Sequence, residues 1–190
     1  MNKKDEIILA TIKLFSEKGY SVTISDIGKE VSLKPSSIYS HFENKNQIIF
    51  EAFKHEIHLF YDSFFSELEK NKKNSTQETL KFIHNFYYNY YKDMTKFKFL
   101  NHIYLIPDLD FRSQCMNLRL DKDRELLMNL QEIFSLGVHN KEIKKENLEE
   151  NMNLYITSLI GNLYISLLYE NKIEELFKKN WTAIWDTIKI

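Results

Sequence analysis

The chain has 190 residues, 43% of them hydrophobic, with only four glycines and two prolines. Such a composition excludes disordered and collagen-like chains, and the scarcity of glycine and proline argues against hairpins and βα crossovers, leaving an all-α fold. Lysine plus arginine total 26 against 27 acidic residues, a net charge of -1, so any nucleic-acid surface must be local rather than global.

The apolar spacing predicts a first helix over Lys4–Lys18, with Ile7, Ile8, Thr11, Ile12, Leu14 and Phe15 as its stripe and Gly19 as its stop. Ile24–Val31 reads as a short second helix, opened by a capping box of Thr23 and Asp26. A turn at Ser32-Leu33 leads to a third helix from Pro35, a favourable first helical residue, to His41-Phe42. A fourth opens with Asn44 and Gln47 and carries Ile49, Phe53, Ile57, Phe60, Phe64 and Leu68 on one face to about Lys70.

After a polar break at residues 71–75, Ser75 and Glu78 cap an aromatic helix holding Phe82, Phe86, Tyr87, Tyr88, Tyr90 and Tyr91. A segment Phe97–Ile106 stops before Pro107, and Asp108 caps a long helix that Gly137 ends. Asn147 with Glu150 caps a helix reaching Tyr169, and the last helix runs from about Lys172 to Ile188. The total is about nine helices.

Asn151–Tyr169 is uncharged and long enough to span a bilayer. Its Asn151, Asn153, Thr157, Ser158, Asn162 and Ser166 are costly in lipid, so it reads as a helix buried on several sides by protein, and no membrane is expected. Cys115 stands alone and can form no intramolecular disulfide, which fits a reducing cytoplasm, the expected location. His55 and His58 with Glu51 lack a fourth zinc ligand, Cys115 has no nucleophile signature around it, and no phosphate-cradling glycine loop exists. Catalytic residues, metals and cofactors are therefore not expected.

Three short helices before a long one give the order of a helix-turn-helix inside a small bundle. In that motif the first helix of the pair braces across the DNA backbone, and the second lays its N-terminal residues in the major groove. The second here reads Pro35-Ser36-Ser37-Ile38-Tyr39-Ser40-His41, with Ile38 and Phe42 inward and small polar groups outward.

Leu14-Phe15, Gly19-Tyr20, Thr23, Asp26-Ile27, the Ile38-Tyr39 pair, Phe42 and a lysine three residues later, Lys45, resemble the DNA-binding domain of the TetR family of regulators over about residues 5–55. The resemblance implies an N-terminal three-helix DNA-binding domain (1–50), joined through the long fourth helix to a helical ligand-binding and dimerisation domain (51–190). It also implies a ligand-responsive transcriptional regulator, a repressor that binds a pseudo-palindromic double-stranded operator as a homodimer. A small apolar or aromatic effector releases it. A helical enzyme or ligand-binding module that never touches DNA is the alternative.

Three positions depart from the family pattern. Ser32 stands for the turn glycine, which the backbone tolerates only if it is not strongly left-handed. Lys34 replaces the serine that caps the recognition helix, and Ser36 replaces its glycine.

Arg112, Arg119 and Arg124 all lie beyond the proposed DNA-binding domain, which thus lacks the bidentate arginine–guanine contact. Over residues 1–56 eight lysines face eight acidic residues. Phosphate contacts fall to Lys29, Lys34 and Lys45. Thr23, Ser25, Ser36, Ser37, Tyr39, Ser40 and His41 complete the expected interface.

In the second domain, Tyr87, Tyr88, Tyr91, Phe99, His102, Tyr104, Phe111 and Phe134 are expected to line an effector cavity, since so many phenols need polar partners. The last two helices are expected to pair across a two-fold axis through Leu154, Ser158, Gly161, Ile165, Phe177, Trp181, Ile184 and Trp185.

Overall fold

The computed structural model describes residues 2–72, 74–169 and 173–190. The architecture is all-α. Helix α1 is Lys3–Lys18, followed by a 3-10 turn Gly19–Ser21. Then come α2 (Ile24–Glu30), α3 (Pro35–Tyr39), α4 (Lys45–Asn71), α5 (Thr76–Tyr91), α6 (Thr95–Tyr104), α7 (Leu109–His139), α8 (Leu148–Leu168) and α9 (Ile173–Ile188). Among the described residues the only extended pairing is an isolated bridge between Ile143 and Lys189.

Capping chemistry sets most starts. Asn2, Thr23 and Ser75 each accept a bond from the backbone N–H three residues on, while that residue's carboxylate takes the cap's own N–H. Asp108 caps α7 through the N–H of Phe111 at 3.0 Å. Gly19, at φ +58°, ends α1 as expected.

Two expected signals differ. Asn147 is left-handed and makes no side-chain cap, so α8 starts without the predicted box. Gly137 does not end α7, which continues to His139; the left-handed residue of that exit is Lys141. Gly137 is instead a site of close approach. A Cβ there would lie 2.7 Å from Thr76 Cγ2 and 2.8 Å from Ile143 Cδ1, and its carbonyl accepts the N–H groups of Glu142 and Ile143. Lys172, the expected start of the last helix, lies outside the described residues.

The chain packs as two units. One combines residues up to Tyr61 with Asp93–Asp121; the other combines Asp62–Lys92 with Lys122–Ile190. The packing boundary thus differs from a cut at residue 50. Helix α6 and the start of α7 belong with the N-terminal helices, and both α4 and α7 contribute to each unit.

In the first unit α1 packs on α6, with the Phe15 and Phe99 rings edge to face at 5.5 Å and His102 against the same Phe15. Ile7, Ile27, Ile38, Phe42, Ile49 and Phe53 fill the rest of its core.

The second unit buries Phe64, Leu80, Ile83, Phe134, Tyr155, Leu159, Trp181 and Ile184. The enclosed Tyr155 hydroxyl donates to Leu80 O at 2.6 Å, satisfying the one polar atom that ring carries inward. His84 Nε2 donates to Phe177 O at 2.7 Å, and burial lowers the proton affinity of that imidazole.

Candidate nucleic-acid interface

The short helix α2 is held at both ends by α1. At its start Thr23 Oγ1 accepts the Asp26 N–H at 3.1 Å, and the Asp26 carboxylate accepts the Thr23 N–H and hydroxyl at 3.0 and 2.8 Å. Lys18 at the end of α1 stands 3.1 Å from the same carboxylate. Near the C-terminus Lys13 pairs with Glu30 at 2.7 Å.

The Thr23 hydroxyl bond, then Lys18, lowers the Asp26 carboxyl to about 2 from an ordinary 3.8. A depressed carboxyl contributes stability that is present above its unfolded value and lost as pH falls through its folded value. Acid melts should therefore show stability declining between about pH 4 and pH 2. Asp26→Asn should remove that part of the slope.

The turn after α2 is left-handed at Ser32, φ +55°. The expectation that serine sits here only on a permissive backbone is thus corrected: the position keeps the glycine-type conformation and bears the strain of a Cβ in it. Ser32→Gly should raise stability by about 1 kcal/mol, read as an upward shift of the thermal midpoint.

Gly28, inside α2, meets this turn directly. The Leu33 N–H donates to Gly28 O at 2.8 Å, and a Cβ on Gly28 would lie 2.6 Å from Leu33 O. Only glycine allows that backbone-to-backbone approach.

Lys34 is extended and makes no side-chain cap, as its chemistry requires, and Pro35 begins α3. The helix is two to three residues shorter than predicted, ending at Tyr39. Its orientation is fixed by Ile38, fully enclosed, and by Phe42 just beyond. Ser36, Tyr39, Ser40 and His41 are exposed on its outer side, and Ser37 is half-buried. Thr23, Ser25, Lys29 and Lys34 are exposed as well. Tyr39 keeps 55% of its surface in solvent, a large amount for an aromatic ring.

Two of these side chains already have local partners. Thr23 caps α2, and the Ser40 hydroxyl donates to Ser37 O at 2.7 Å.

Lys45, the first residue of α4, is half-buried. Its Nζ donates to Tyr20 O at 2.8 Å and lies 4.0 Å from the Tyr20 ring centroid, while the Tyr20 hydroxyl donates to Asn46 Oδ1 at 2.9 Å. Burial lowers the pKa of that ammonium. Sequence reasoning assigned no role to Tyr20 or Asn46; the Gly19-Tyr20 pair marked the place without revealing the contact.

The residues expected around an effector divide between the units. Tyr87, Tyr88, Tyr91 and Phe134 belong to the second and Phe99, His102, Tyr104 and Phe111 to the first. Phe99 and His102 pack on α1, Phe111 is buried, and the Tyr104 hydroxyl accepts a bond from Arg119. Tyr88 lies against Phe177, Tyr87 against Phe64, and Phe134 against Tyr155. Phe134 also lines an open cleft of about 330 Å³ with Gln131, Ser135, Leu148 and Met152.

The residues expected at a dimer interface also separate. Phe177, Trp181 and Ile184 are buried by the chain itself, so they are core residues rather than surface offered to a second copy. Trp185 is half-buried and stacks on Trp181 at 5.9 Å. On α8, Leu154 and Ile165 are exposed and Ser158 and Gly161 partly so, all on one face, and a Cβ on Gly161 would touch nothing within 4 Å. No described helix is long and apolar enough to cross a membrane.

Residues 7–52 match the family described as bacterial regulatory proteins, tetR family. A stretch of 69 residues is 39% identical to the biofilm operon icaADBC HTH-type negative transcriptional regulator IcaR of Staphylococcus epidermidis, covering 36% of this chain and 37% of that protein. The chain thus matches little more than a third of that relative's length.

The fold as a whole is similar to a transcriptional regulator from Saccharomonospora viridis solved in complex with choline, with a TM-score of 0.81 at 16% identity over 98% of this chain and 97% of that one. It is also similar to FadR from Bacillus subtilis solved with stearoyl-CoA, with a TM-score of 0.74 at 20% identity over 96% and 97%.

Proposed function

We propose that this chain, whose residues 7–52 match the tetR family of bacterial regulatory proteins, is a DNA-binding transcriptional repressor of that family that acts as a homodimer and answers to a small effector. The observation that carries this reading is the presentation of α3. A brace helix is fixed at both ends, a turn is locked by Gly28, and Ser36, Tyr39 and His41 face solvent with no apolar cover. Exposed Lys29 and Lys34 stand close in sequence to supply phosphate contacts, and the side chains of α3 supply the contacts that read sequence.

A second copy pairs through the α8 face of Leu154, Ser158, Gly161 and Ile165, extended by Trp185. Two recognition helices then meet successive major grooves about 34–36 Å apart on a pseudo-palindromic site. The effector is small and apolar or aromatic and binds among the aromatic side chains beyond residue 50, where Tyr87, Tyr88, Tyr91 and Phe134 are the candidates. That solved proteins of this fold carry choline and stearoyl-CoA supports a ligand-binding role and leaves its chemistry to the aromatic side chains here.

Helix α4 supports the coupling, because it runs unbroken from Lys45 beside the recognition helix to Asn71. An effector that favours one position of α4 changes the separation of the recognition helices, provided it binds the two states unequally.

Fluorescence anisotropy with the duplex upstream of the chain's own coding region tests the reading. Affinity that falls as salt rises is the expected result. Absence of binding to any duplex at low salt would favour a helical enzyme or ligand-binding module instead.

A further inference from the structure

We infer that Lys4, in the first turn of α1, is a further phosphate contact of each protomer, held at the exit of the recognition helix. The inference rests on the DNA-binding reading and adds to it a residue outside the helix-turn-helix. It starts from one contact. The Lys4 ammonium lies 5.4 Å from the centroid of the Phe42 ring. Phe42 stands three residues past the end of α3, and its N–H donates to Ile38 O at 3.1 Å, closing the last turn of that helix. The Phe42 ring is buried, so it is a fixed seat that brings the first turn of α1 to the place where α3 ends.

The sorting of charge gives this placement its meaning. Residues 1–56 hold eight lysines and eight acidic residues. Three of the lysines are balanced locally: Lys3 by Glu6 at 2.6 Å, Lys13 by Glu30 at 2.7 Å and Lys18 by Asp26 at 3.1 Å. Lys4, Lys29 and Lys34 are exposed and have no carboxylate within ion-pair distance among the described residues. Lys29 lies in the last turn of α2 and Lys34 immediately before α3. These three exposed cations therefore bracket the recognition helix, two at its start and one at its exit. The acidic neighbours of Lys4 are already engaged, since Asp5 accepts the Asn2 N–H at 3.4 Å and Glu6 holds Lys3. A helix seated in the major groove has phosphates on either side. A lysine with no ion pair to break can meet one of them and release its counterion.

The test uses the full chain, the duplex upstream of its coding region and a salt series. Lys4→Gln removes the charge and keeps a polar side chain on the surface. A phosphate contact predicts a loss of about tenfold in affinity at ~0.1 M salt, and a slope of log affinity against log salt shallower by about 0.9 per bound protomer. Lys3→Gln is the internal control, one residue away but paired with Glu6. It is expected to keep the wild-type slope, because the charge it removes is already balanced. Lys4→Arg keeps the charge and is expected to retain both the affinity and the slope.

An unchanged slope for Lys4→Gln would overturn the inference. Equal losses for Lys3→Gln and Lys4→Gln would overturn it too, since they would reflect the general field of the α1 terminus and not a contact. If the thermal midpoint of Lys4→Gln falls, Lys4→Met, which keeps an apolar stem beside Phe42, decides: a shallower slope supports the contact and a wild-type slope overturns it. Failure of the wild type to bind any duplex at low salt would instead overturn the regulator reading beneath it.

Discussion

Gly28→Ala is expected to destabilise the first unit by about 3 kcal/mol and to abolish duplex binding at any salt concentration. The added methyl would sit 2.6 Å from the Leu33 carbonyl oxygen, a contact that real side chains do not sustain. That oxygen belongs to backbone, so no rotamer change relieves the clash. Either α2 retreats from the turn or the Leu33 N–H bond to Gly28 breaks. Both outcomes move α3, because the turn leads directly into Pro35. Thermal melts of the variant check the stability loss, and anisotropy at low salt checks the loss of binding. A variant with wild-type midpoint and wild-type affinity would show that the α2–turn approach does not control α3.

The second large effect concerns the surface rather than the scaffold. Combining Lys29→Gln, Lys34→Gln and Tyr39→Ala is expected to weaken operator binding by about a thousandfold while leaving the fold intact. All three side chains are exposed, so their removal opens no cavity. The two lysines should account for the salt-dependent part, with a slope shallower by about 1.8 per bound protomer. Tyr39 should account for a part that salt does not change, as expected for a contact to a base or sugar. Wild-type affinity in this variant, with an unchanged melt, would place the DNA-binding surface elsewhere on the chain.

Much of the fold was legible because its signals are local. Thr23, Ser75 and Asp108 mark helix starts through bonds to N–H groups three residues away, and that spacing is written in the sequence. The candidate interface was legible for the same reason: Ile38 and Phe42 set the buried side of α3, and the exposed polar set follows by default.

What was not legible depends on contacts between distant segments. Gly137 carries the signature of a helix stop, yet it serves the close approach of Thr76 and Ile143. Phe177, Trp181 and Ile184 have the size and spacing of an interface, but His84, Tyr88 and the second core already cover them. Nothing in local spacing reveals that residues 93–121 pack with the N-terminal helices. Nor does it reveal that the Lys45 ammonium donates to the Tyr20 carbonyl, 25 residues away.

Selection of bound duplexes from a random pool tests the central claim most directly, since it reads DNA binding, two-fold symmetry and half-site spacing at once. The account predicts enrichment of a pseudo-palindrome whose half-site centres lie about one helical turn, or a multiple of it, apart. Enrichment should be lost in the triple variant. A pool that emerges from low-salt selection unenriched, or enriched in sites with no two-fold relation, would contradict it.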